Sequence, residues 1–153
     1  MRLVLRFFAM ATISAAMCPG ARADDGSDAA RRLLVETFDK PEPRLFVDAV
    51  VVEGDAAVAD WRQGDLGGRA FLTRKNDAWT IALCGGDALK DSATLERLGV
   101  SKTHAEALSR RLAAEEKRLS PDVVEHFSRF DGLAAVEADG GHSPLDPHHK
   151  PIP

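Results

Sequence analysis

Apolar residues recur along this chain with two periods, and the switches between them divide it. Ala30, Leu33, Leu34 and Phe38 fall at helical spacing behind Asp25 or Ser27, either of which suits a helix cap. That helix should stop before Pro41, because the residue preceding a proline is pushed out of the α region. Pro41-Glu42-Pro43 reads as a stiff connector. The pattern then becomes that of strands, over residues 45–53, 56–62, 69–74 and 78–84. Gly54-Asp55 and Asn76-Asp77 give the first and last turns, and the glycine-rich run 63–68 gives a longer loop between them. On the fourth strand, period-2 alternation puts Trp79, Ile81 and Leu83 on one face and Thr80, Ala82 and Cys84 on the other.

Helical spacing returns after Gly85-Gly86-Asp87. Ser92 suits the cap of a short helix carrying Leu95 and Leu98 and closed by Gly99. Ser101 suits the cap of a longer one with Ala105, Leu108, Leu112 and Leu119 in a stripe. The opposite face of that helix, Arg110, Arg111, Glu115, Glu116, Lys117 and Arg118, reads as solvated charge with i,i+4 pairs. Ser120-Pro121 is a start signal for a last helix lined by Val123, Val124, Phe127 and Phe130. Residues 133–137 read as a short strand or an extended strap. From 138 on, Gly140, Gly141, Pro144, Pro147, Pro151 and Pro153 leave no periodic apolar face, which predicts a flexible His/Pro-containing tail. The expected fold is one α+β domain over residues 24–137. It has an N-terminal helix, a four-stranded antiparallel meander and a helical C-terminal half. A helix laid on a meander in the cystatin-like manner buries one face of each.

Ahead of this domain, Arg2 and Arg6 precede a mostly apolar run, 7–17, about half the length that spans a bilayer. Ala21-Arg22-Ala23 follows as a small-x-small cleavage signature, so residues 1–23 are expected to be a cleaved signal peptide and the protein periplasmic. A lipoprotein alternative rests on Cys18, but Met17 stands where a small residue is wanted. Removing the leader takes the formal charge from −4 to −7, because three of the 20 basic residues and none of the 24 acidic ones lie there. Such a chain is a poor partner for nucleic acid, and no later stretch is long enough for a membrane span.

After cleavage Cys84 is the only cysteine, which excludes an intramolecular disulfide. Its thiolate would suit a soft metal or act as a nucleophile; the plainer reading is a small buried hydrophobe. His142, His148 and His149 cluster in the tail with Asp139 and Asp146, a composition that suits Cu(II), Zn(II) or Ni(II), although three histidines are a weak signal. The candidate metal ligands are therefore His142, His148, His149 and Cys84. His104 and His126 read as surface or half-buried helix residues, and Trp61 and Trp79 as core. The run 64–68 lacks the lysine and following helix of a phosphate loop. No catalytic triad and no isolated carboxylate pair can be picked out, so the chain is not expected to be an enzyme.

Trp61-Arg62-Gln63-Gly64-Asp65-Leu66-Gly67-Gly68-Arg69-Ala70-Phe71-Leu72 and Trp79-Thr80-Ile81-Ala82-Leu83-Cys84-Gly85-Gly86-Asp87-Ala88-Leu89 form a distinctive pair of blocks. With Phe38-Asp39-Lys40-Pro41 and Phe127-Ser128-Arg129-Phe130, they resemble the small exported copper uptake system-associated proteins. The resemblance implies a periplasmic accessory protein of copper uptake or delivery, with copper as its ion and a periplasmic copper chaperone as its partner. One departure stands out: Met1, Met10 and Met17 all lie in the leader, so a thioether Cu(I) site is not expected. Two other readings stand beside it: a small-ligand or protein-binding α+β module without metal, and a thiol redox partner using Cys84.

Overall fold

Five antiparallel strands follow one another in a single meander, and helices lie on both faces of the sheet. The computed structural model describes residues 24–136; the expected leader and the histidine tail lie outside the described residues. Helix α1 (Asp24–Phe38) precedes β1 (Leu45–Glu53), β2 (Ala56–Gln63), β3 (Leu66–Lys75) and β4 (Ala78–Gly85). A 3-10 turn (Asp87–Lys90) then leads into α2 (Ser92–Arg97), α3 (Lys102–Glu116) and α4 (Pro121–Phe127). The strap after α4 is a fifth strand, β5 (Leu133–Ala135), paired with the end of β4 through Leu83↔Ala135, Cys84↔Ala134 and Gly85↔Leu133. The class is α+β as expected, with five strands in place of four. Among the described residues no helix is long and apolar enough to cross a membrane.

The sheet separates two cores. Helix α1 buries Ala30, Leu34 and Phe38 against Ala57, Ala59, Ala70, Leu72 and Trp61. Small alanines in the middle strands let the helix come close. On the other face Leu89, Leu95, Ala105, Leu108 and Leu112 pack on Val51, Val58, Phe71 and Leu83. Both layers are tied to the loops by polar contacts. Gln63 Nε2 donates to the carbonyls of Phe38 and Pro43, and Asp39 accepts from the Leu45 N–H.

Several elements differ from the sequence expectations. The run 63–68 is not a long loop. Gly64 and Asp65 make a tight turn with Gly64 at φ 61°, and Gly67 and Gly68 already belong to β3, opposite Arg62 and Trp61. The strict alternation on β4 also fails. Phe71 pairs with Leu83 but Leu72 with Ile81, so Ala82 is the extra residue of a β-bulge. Beyond it the faces exchange: Leu83 enters the core under α3, while Ile81 and Cys84 share the α1 side. The cap of α2 is Asp91, whose carboxylate accepts from the Thr94 N–H at 3.0 Å, in place of Ser92. Ser101 caps α3 by accepting from the His104 N–H, whereas Ser120 sits ahead of Pro121 without a side-chain cap bond. The buried stripe of α3 continues from Ala105, Leu108 and Leu112 to Glu116, not to Leu119.

Candidate functional site

Charge does not belong in the middle of a sheet, yet Arg69 on β3 is completely buried. Its partner position across the ladder is Asp60 on β2, also completely buried. Both point to the face covered by α3, α4 and the 3-10 turn. Arg69 Nε and Nη2 donate to Glu116 Oε1 at 3.0 and 2.6 Å. Its Nη1 donates to Asp87 Oδ1 at 3.1 Å and to the Phe127 carbonyl at 3.2 Å. The guanidinium carbon stands 5.7 Å from the centre of the Phe127 ring, within cation–π range. Lys90 Nζ reaches the other Glu116 oxygen at 2.9 Å, and the Ser128 hydroxyl donates to Asp87 at 2.8 Å. One guanidinium thus fastens α3, α4 and the 3-10 turn to the central strands.

Asp60 is the odd member. Arg69 Nε lies 3.3 Å from its Oδ1, but neither carboxylate oxygen takes part in a hydrogen bond. Burial pushes its pKa up from 3.8 to about 8; nearby Arg69 pulls it down, Glu116 raises it further, Lys90 lowers it and Asp48 raises it. Burial thus favours the protonated acid at Asp60 over the carboxylate.

The glycine-rich blocks are explained by this node. A Cβ on Gly67 would lie 2.4 Å from the His126 carbonyl, and one on Gly86 would lie 2.3 Å from the Phe130 carbonyl. A Cβ on Gly68 would meet the Gly85 carbonyl, Phe130 and Trp61 at 3.0 Å. The three segments 64–70, 83–89 and 127–130 thus converge where α4 and the turn after it lie directly on backbone. Trp61 and Phe130 close the same corner edge to face, with ring centres 6.2 Å apart.

Of the sequence-predicted ligands, only Cys84 lies among the described residues. Cys84 is fully buried beneath α1, and burial pushes its thiol up to about 12, only partly offset by the indole N–H of Trp61. A thiolate is not formed there near neutral pH, so Cys84 serves as a small core hydrophobe. His142, His148 and His149 lie outside the described residues. Exposed His104 covers Gly54 in the turn between β1 and β2, and half-buried His126 lies over Gly67 near the opposite end of the sheet. Among the described residues no group of three or more His, Cys, Asp or Glu side chains is placed to hold a metal ion. Arg69, Asp60 and Glu116 were missed as a site by sequence reading. The one signal for Glu116 was its position four residues after Leu112 on the buried stripe.

An open groove of about 510 Å³ runs beside the node between α3 and α4, with Ala113, Leu119, Pro121 and Val124 as its apolar lining. Lys90, Glu116 and Ser128 connect it to the buried charges. No protein-family model, no curated protein and no solved structure matches this chain.

Proposed function

We propose that this chain is an exported, non-enzymatic accessory protein of copper uptake or delivery, in which the folded domain docks a periplasmic copper-chaperone partner and the tail contacts the ion. The copper reading is supported by the resemblance of the blocks 61–72 and 79–89, with Phe127-Ser128-Arg129-Phe130, to the copper uptake system-associated proteins. The division of labour rests on one observation: Cys84 is sealed in the core with a thiol raised to about 12. The ligands in this reading are then His142, His148 and His149, whose neutral imidazoles suit Cu(II). Copper is cargo here, and the domain contributes the surface that a partner recognises. The small-ligand alternative needs an open sheet face, and both faces are occupied, by α1 on one side and α2 and α3 on the other.

Calorimetric titration of Cu(II) into protein recovered from the periplasm tests the reading. The wild type binds, and the His142→Ala/His148→Ala/His149→Ala variant loses that binding with the fold intact. Binding that survives the triple substitution, or a wild type that takes up no copper, overturns the assignment to the tail.

A further inference from the structure

Helical spacing puts Leu119 and Val124 on apolar faces, yet both are only half-buried, and neither joins the core on either side of the sheet. With Ala113 and exposed Pro121 they form the apolar lining of the groove between α3 and α4. The charged node accounts for this. Glu116 takes the last buried place on α3, where it meets Arg69 and Lys90, and the buried residue of α4 is Phe127, beside the same guanidinium. The two helices are fastened to the sheet by these residues, and the aliphatic side chains at their junction are left lining an open groove. Its rim carries both signs of charge. Glu116 is neutralised inside the node by Arg69 at 2.6 Å and Lys90 at 2.9 Å. Lys117 at the end of α3 and Glu125 on α4 remain, both exposed, and Glu125 reaches Arg129 only at 3.6 Å.

We propose that this groove is the contact surface for a second copy of the chain, related to the first by a two-fold axis. A two-fold interface uses the same patch on both copies, so the patch must be complementary to itself. This one is. Apolar lining meets apolar lining, and Lys117 of each copy faces Glu125 of the other, so the ion pair forms twice. A partner of uniform charge would meet a like charge at one wall of the groove, a cost that the second copy avoids. The contact consists of half-buried aliphatic side chains and two exposed ion pairs, so the dimer is weak and concentration-dependent. It goes beyond the copper reading and does not depend on it, since none of these residues is a proposed copper ligand.

Sedimentation equilibrium of protein recovered from the periplasm, at concentrations up to about 1 mM, tests it. Chelator and reductant in the buffer exclude dimers bridged by metal on the tail or by oxidised Cys84. The wild-type mass rises with concentration toward that of two chains. Lys117→Glu or Glu125→Lys alone sets two like-charge contacts across the axis and weakens the dimer on the order of 10-fold; the double variant Lys117→Glu/Glu125→Lys restores it. Val124→Asp, which puts a charge among the apolar contacts, leaves monomer. Methyl resonances of the wild type locate the contact without a variant: those of Leu119 and Val124 shift on dilution, while that of Leu34 under α1 stays fixed. A monomer at every concentration overturns the proposal, as does a dimer indifferent to Val124→Asp or a double variant that fails to recover. So do Leu119 and Val124 signals that ignore dilution, the result expected of a groove covered by the chain's own tail or by a different protein.

Discussion

Replacing Asp60 with Asn should stabilise this protein, and increasingly so as the pH rises. The wild-type carboxyl is fully buried, lacks any hydrogen bond, and has its pKa raised from 3.8 to about 8. Below the lower value, folded and unfolded chains both hold the proton, and Asp60 costs the folded state nothing through ionisation. Between the two values the unfolded chain ionises while the folded one stays protonated, so stability falls with each pH unit. Above about 8 both forms are ionised and the loss is complete. At 1.36 kcal/mol per unit, the gap implies a total of about 6 kcal/mol, of which about 4 kcal/mol falls between pH 5 and 9. Asparagine has nearly the same shape and no charge to titrate. Urea unfolding of both proteins at pH 5, 7 and 9 should therefore show the variant gaining on the wild type by about 4 kcal/mol over that range. A difference constant to within about 0.5 kcal/mol, or one that shrinks as pH rises, would refute the claim that a protonated acid is buried beside Arg69.

Other consequences are as specific. Gly86→Ala should cost about 1–3 kcal/mol in chemical denaturation, because its Cβ would sit 2.3 Å from the Phe130 carbonyl and backbone must shift; an unchanged midpoint would show that the turn after α4 does not rest on Gly86. Cys84 should resist alkylation in the native protein at pH 7 and react readily in urea, since its thiol is buried and raised to about 12; fast native labelling, followed by mass spectrometry, would contradict its place beneath α1. Copper affinity should fall below about pH 6 as the tail imidazoles protonate, and equal affinities at pH 7.5 and 5 by calorimetry would speak against histidine ligands.

Elements built on a single period were readable in the sequence. The helices α3 and α4 carry their own periodicity and start signals, and α4 opens at Pro121 as its Ser-Pro pair requires. The errors arose where tertiary contacts set the local structure. Alternation on β4 breaks at Ala82, because a bulge is a property of the pairing with β3 and not of β4 alone. Gly67 and Gly68 looked like loop residues; they are strand residues made small by what lies on them. The charged node was the least legible part. Arg69 and Asp60 are distant enough in sequence that only the strand register makes them opposite, and a lone Glu in a charged run gives no sign that it faces inward. The bulge also sets the face of Cys84, which it places on the α1 side.

The claim that copper belongs to the tail and partner docking to the folded domain is tested most directly by nuclear magnetic resonance. Substoichiometric Cu(II), added to the isotope-labelled protein, broadens the signals of nuclei close to the bound ion. The account predicts that signals of His142, His148, His149 and their neighbours vanish first, while amides around Cys84, Trp61 and the Arg69 node stay sharp. Broadening centred on the folded domain, or none anywhere at one equivalent of copper, would contradict it.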